Sequence, residues 1–247
     1  MRRLVEFIVA VTVAVAVAAC SGEPTGEGKP PETDQPRAEA PSGGGGTIEA
    51  EVKYSGEPVA ETVRINKDVE VCGKEKRIAK VAVGEKGGLP SAVVWVADGT
   101  AGTAKTGPKP ALDQKGCEFR PHVLAMTPGE IDILNSDGIL HNIHTFSSAN
   151  PPVNKAQPKF KKVMTERFEK PEIIRVRCDV HSWMEGWIVV RPDPSFGVTD
   201  AAGVARIENV PAGEHTVEAW HPVLGKQARK VRVEAGRVSR VTFELKS

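Results

Sequence analysis

The sequence predicts an all-β protein of sandwich type. Three observations carry that prediction. From residue 47 onward, short runs rich in Val, Ile and Thr recur along the chain. Gly, Pro and Asp turn residues separate them at intervals of about ten residues, a spacing typical of sandwiches. No long stretch has helical periodicity, and only residues 157–164 read as a short helix.

The chain has 247 residues, enough for one large domain or two small ones with a real core. Its net charge is +1, which offers no electrostatic footprint for nucleic acid. Residues 1–19 read as a secretory signal: two arginines lead an apolar run that ends in small residues, too short and Ala-rich for a membrane span. Val17, Ala18, Ala19 and Cys20 resemble a bacterial lipobox, which implies cleavage before Cys20 and lipidation of its thiol. Ser21 follows; in Gram-negative lipoproteins the absence of Asp there resembles the outer-membrane sorting pattern. Residues 21–46 hold Gly, Pro, Glu, Ser and Lys with almost no large apolar side chains, so they cannot bury enough surface to fold. Together with Cys20 they form a tether with a coil dimension of roughly 25–30 Å.

The strand candidates follow in order: TIEAEVKYSG (47–56), SAVVWVADG (91–99), HVLAMTPGE (122–130), IDILNSDG (131–138), EIIRVRC (172–178), GWIVVRPD (186–193), VARIENVPAG (204–213), HTVEAW (215–220), KVRVEAG (230–236) and RVTFEL (240–245). Of the four cysteines, Cys20 is assigned to lipid and Cys178 to the motif below. Cys72 and Cys117 remain, in an exported and oxidising setting, and are expected to form a disulfide that contributes roughly 4 kcal/mol through chain entropy. The rival reading is two free thiols, or a second metal site with His122.

The motif is CDVHSWM, with spacing C-x2-H-x2-M across Cys178, His181 and Met184. Strand alternation puts Cys178 on the face of Ile174 and Val176, opposite Arg175 and Arg177. In DGILHNIHTF, His141 shares a face with Ile143, while Asn142 and His144 take the other. His141 and Cys178 thus lie on buried faces of two strands, with His181 and Met184 just past one strand end. Two imidazoles, one thiolate and a weak axial thioether form the ligand set of a copper electron-transfer site. Zinc prefers four strong ligands, and Met is a poor one.

Two segments, FRPHVLAMTPGEIDILNSDGILHN and RCDVHSWMEGWIVV, resemble the cupredoxins, the blue copper proteins; the second has amicyanin-like loop spacing. The resemblance covers roughly residues 119–190 and implies a Greek-key sandwich holding one copper ion. It implies His141, Cys178, His181 and Met184 as ligands, and Asn142 as the residue that braces the ligand loop. It also implies that His181 reaches the surface as the electron port. Two features depart from the family: Arg177 stands where an aromatic often precedes the ligand Cys, and residues 144–162 do not align with a standard member.

The remaining histidines have plainer readings. His144 points away from His141 and suits a supporting or surface role. His122 follows Pro121 and reads as a paired structural residue, while His215 and His221 suit surface or core packing. Trp187 is expected in the strand after the loop, and Trp183 either in the core or on an apolar docking rim. In the tail, T-D-x-x-G, then N-V-P-x-G, then VRV and VTFEL resemble a carboxypeptidase-regulatory-like module with a transthyretin-like sandwich. The tail is short for a complete module. Either it packs directly on the copper domain, the reading preferred here, or residues from position 47 supply its missing strands.

The expected organisation is therefore a signal (1–19), a lipidated tether (20–46), a copper domain (47–192) and a β module (193–247). No nucleophile elbow, HExxH, P-loop, Rossmann glycine pattern or C-x-x-C-H haem site is present, so an enzyme is not expected. The expected function is single-electron transfer between partners such as a c-type cytochrome or an envelope oxidoreductase, from a lipid anchor in a bacterial envelope. The alternatives are a copper-handling lipoprotein without electron transfer, and a structural or ligand-binding surface lipoprotein.

Overall fold

The computed structural model describes residues 44–99 and 107–246. The expected signal, Cys20 and the tether up to residue 43 lie outside the described residues. Among the described residues no helix is long and apolar enough to cross a membrane.

The chain opens with β1 (Gly46–Tyr54). A hairpin follows, β2 (Val59–Arg64) and β3 (Glu75–Val81), with one helical turn, α1 (Val69–Cys72), in its connection. Next come β4 (Val93–Val96), β5 (Ala111–Gln114), β6 (Phe119–Arg120), β7 (Val123–Met126), β8 (Gly129–Asn135) and β9 (His141–Phe146). The remaining strands are β10 (Asn154–Gln157), β11 (Val163–Phe168), β12 (Glu172–Arg177), β13 (Glu185–Val190), β14 (Phe196–Val198), β15 (Val204–Val210), β16 (Gly213–His221), β17 (Gly225–Val233) and β18 (Val238–Leu245). The all-β class read from the sequence is the class observed.

The strands form two sandwiches. In the first, a sheet ordered β10-β9-β12-β13-β7 faces one ordered β11-β8-β5-β6. Alternation drives both: Ile131 and Ile133 of β8, Ile143 of β9, Ile174 and Val176 of β12 and Ile188 of β13 all turn into one core. Each such side chain stabilises the fold by about 1.5–3 kcal/mol on burial. The β2–β3 hairpin lies against this core through Val63, Ile65 and Cys72. Cys72 and Cys117 form the expected disulfide, S–S 2.03 Å, which staples the hairpin to the β5–β6 turn.

The second sandwich pairs a sheet ordered β15-β1-β18 with one ordered β14-β4-β16-β17. Here the preferred boundaries fail. Residues 47–192 are not a single unit, because β1 and β4 belong with the tail. β1 lies between β15 and β18, antiparallel to the first (Ala50 opposite Ala205) and parallel to the second (Ala50 opposite Val241). The reason is apolar supply: Ile48, Ala50, Val52 and Tyr54 of β1 and Val94 and Val96 of β4 fill a core that the tail alone leaves incomplete. The turn chemistry read from T-D-x-x-G is present. Asp200 Oδ1 accepts from the backbone N–H groups of Ala202 and Val204 at 2.9 and 3.0 Å, and Gly203 takes φ +79° against the carbonyl of Val52.

A third apolar cluster joins the sandwiches. Val123 and Val189 from the first meet Val93, Trp95 and Phe196 from the second. Trp187 packs edge-to-face on Trp220 at 5.5 Å. The helix read at residues 157–164 is also corrected: Gln157 ends β10, a turn closed by Lys161 N–H to Pro158 C=O follows, and β11 starts at Val163. Gln157 is wholly buried, and its side-chain amide hydrogen-bonds Gln114 and the Ile133 carbonyl, a use of the residue that apolar periodicity does not register.

Candidate metal centre

His141 opens β9, and its ring is fully buried with Ile143 and Thr145, as alternation requires. Cys178 continues the inward face of β12, after Ile174 and Val176. The loop from Cys178 to Met184 closes on itself: Met184 N–H donates to the His181 carbonyl at 2.9 Å, and Cys178 N–H to the Met184 carbonyl at 3.3 Å. That tight turn brings His181 back over Cys178. The thiol sulfur lies 3.7 Å from His141 Nδ1 and 3.8 Å from His181 Nδ1, and the two Nδ1 atoms are 3.0 Å apart. Met184 is buried in the same apolar cluster as Cys178.

Asn142 lies on the opposite face of β9 from His141, is itself buried, and braces the loop. Its Oδ1 accepts from the Asp179 N–H, and its Nδ2 donates to Asp179 Oδ2 at 3.1 Å. His144, on the same face, holds Asp179 Oδ1 at 3.0 Å through Nδ1 and does not join the cluster. Trp183 lies 5.1 Å from His181 between ring centroids and donates its Nε1–H to the Cys117 carbonyl at 3.2 Å. His221 is buried and His122 half-buried, and among the described residues His122 joins no metal-ligating group with Cys72 and Cys117, which are bonded to each other.

Two residues of the site escaped the sequence reading. Asp137 Oδ2 meets His141 Nε2 at 2.9 Å, and Asp68 Oδ2 meets His181 Nε2 at the same distance. Asp137 also accepts from the backbone N–H groups of Gly116 and Cys117. The S-D-G turn just before His141 is a local signal for Asp137. Asp68 lies 113 residues from its partner and has no such signal. Its contact overturns one expectation: the His181 side chain is 0% exposed, so its edge does not reach the surface.

The donor set fits a soft, thiophilic cation. A carboxylate only accepts, so it favours a proton on each Nε2, and a neutral ring then turns its Nδ1 lone pair toward the sulfur. Two such lone pairs beside one thiol have a single proton between them. Burial holds the His141 pKa below the ordinary imidazole value, against the upward pull of Asp137, and so favours the neutral, ligating form. Burial pushes the Cys178 thiol up, despite hydrogen bonds from backbone N–H groups, so a metal binding there displaces a proton.

No family model and no curated protein matches the chain. Solved structures overlap part of it. A copper-containing nitrite reductase from Thermus scotoductus is 20% identical, with TM-score 0.32, over 38% of this chain and 24% of the reductase. A purple cupredoxin from Nitrosopumilus maritimus is 17% identical, with TM-score 0.29, over 34% of this chain and all of that protein. Amicyanin from Paracoccus versutus is 12% identical, with TM-score 0.31, over 40% of this chain and 97% of that protein.

Proposed function

We propose that this chain is a mononuclear type 1 copper protein that passes single electrons between redox partners in a bacterial envelope. One observation carries the reading: two imidazole Nδ1 atoms and a buried thiol converge while both Nε2 atoms are turned onto carboxylates. Copper, when bound, supplies one-electron redox chemistry. The chain supplies a fixed donor set. His141 is held by β9 and Asp137, Cys178 by β12, and His181 by the closed loop, so the ligands stay in place as charge changes. Met184 is assigned as the weak axial donor, and Asn142 as the brace that keeps Asp179, and with it the loop, in register. Proposed partners are a c-type cytochrome or an envelope oxidoreductase, reached from a lipid anchor on Cys20.

Copper loading tests the reading. An intense visible thiolate-to-copper band, with electron exchange against a c-type cytochrome in stopped flow, supports it. Absence of copper uptake overturns it and favours a structural or ligand-binding lipoprotein. The buried edge of His181 favours a second reading, copper handling without electron transfer. A colourless protein that yields Cu(I) to a chelator and exchanges no electrons supports that one.

A further inference from the structure

We propose that Asp68 is a positioning residue of this centre: its carboxylate fixes the His181 ring, keeps the Nε2 proton in place and closes the ring edge to solvent and to partners. The inference rests on the metal reading above and adds a residue to it.

Four observations support the role. Asp68 stands immediately before α1, where an Asp side chain ordinarily caps the helix. It makes no such cap; the carboxylate reaches His181 Nε2 at 2.9 Å instead. The backbone of Asp68 takes the left-handed conformation, φ 51° and ψ 39°, uncommon outside Gly, Asn and Asp. The hairpin that carries Asp68 is stapled by Cys72 to Cys117. Finally, Cys117 serves both histidines: its N–H donates to Asp137, the partner of His141, and its carbonyl accepts from Trp183 beside His181. A single covalent junction thus supports both carboxylates behind the ligand pair.

The chemical consequence follows from charge. A carboxylate on the far nitrogen raises the basicity of an imidazole and favours the more positive metal state. It also occupies the ring edge through which an exposed histidine would exchange electrons or lose its metal. Asp68 therefore lowers the reduction potential and slows metal release.

The test uses the full chain with Asp68→Asn and Asp68→Gly, since both residues tolerate φ 51° and spare the backbone. The first readout needs no metal. In the metal-free wild type, proton NMR should show the His181 Nε2–H as a downfield, slowly exchanging signal. Asp68→Asn should keep it with faster exchange, and Asp68→Gly should lose it. With copper bound, the reduction potential should rise in both variants. Copper loss to a chelator should accelerate about 10–100-fold in Asp68→Gly, and less in Asp68→Asn. Far-UV circular dichroism checks that both variants fold. A freely exchanging Nε2–H in the wild type overturns the proposal. So does an Asp68→Gly protein with unchanged proton signal, potential and copper loss. If the wild type never takes up copper, the metal reading falls, and the proton signal still decides whether Asp68 fixes the ring.

Discussion

His141 and His181 present their Nδ1 atoms to each other at 3.0 Å, with the Cys178 sulfur within 3.8 Å of both. Neutral imidazoles with protonated Nε2 atoms do not approach in this way for their own sake, because two lone pairs repel. The arrangement is held from outside, by Asp137 and Asp68 on the far nitrogens and by Asn142 on the loop.

Cys178→Ser should abolish any intense visible band while the fold survives. A hydroxyl stands in the thiol's place but gives no intense visible charge-transfer band with copper, and copper can stay bound to the histidines. The absorption spectrum of the loaded variant decides; retained colour would show that the thiolate is not a ligand.

Met184→Leu should keep copper and raise its potential. The side chain is 1% exposed, and a volume-conserving swap there costs under about 1.5 kcal/mol. Leu removes a weak donor that favours Cu(II). Voltammetry measures the shift, and complete loss of copper would remove Met184 from the axial position.

Much of the site was legible because it is local or periodic. Cys178 sits on the face set by Ile174 and Val176, His141 on that of Ile143, and the C-x2-H-x2-M spacing makes one closed turn. Asp68 was not legible, since its contact depends on where a hairpin lands 113 residues away in sequence. That hairpin was itself missed. β2 carries VAETVR with mostly exposed positions; β11 alternates in burial, but its sequence VMTERF hides this, with Val163 on the exposed face and Glu166 on the inward one. β1 reads as a strand, but its alternation does not say which sandwich takes it; it pairs with β15 and β18. Alternation fixes which face is buried, and two neighbouring cores of similar chemistry compete for it.

Acid should weaken the junction between the sandwiches. His221 is 3% exposed, and its pKa is held down to about 4, first by burial and then by neighbouring His122. Burial lowers the pKa of His122 as well. Unfolded, both histidines titrate near the ordinary value of about 6.5. Between that value and about 4 the unfolded chain binds more protons, so stability rises with pH there. The contribution is fully present above pH ~6.5 and is lost as pH falls toward ~4; for His221 it amounts to roughly 3 kcal/mol. Urea titrations at stepped pH should show the loss, and His221→Gln should flatten it in part. An unchanged slope in that variant would mean that His221 is not held neutral in the folded protein.

The second sandwich should depend on residues far from the tail. A fragment of residues 193–247 contains β14 to β18 but lacks the strand between β15 and β18, and lacks β4 between β14 and β16. Both gaps leave unpaired backbone groups and an open apolar face, so the fragment should show no cooperative unfolding transition. In the full chain, Ala50→Asp puts a charge at a position of 0% exposure, between Ala205 and Val241. The carboxylate has no cation beside it in that core, and the cost should exceed about 3 kcal/mol. The first sandwich has its own core, so copper uptake should persist at temperatures where the second has already melted. Differential scanning calorimetry with and without copper should resolve two transitions in Ala50→Asp, only the upper one moved by the metal. A single transition that copper shifts as a whole would show that the Trp187–Trp220 junction couples the sandwiches more tightly than their separate cores require.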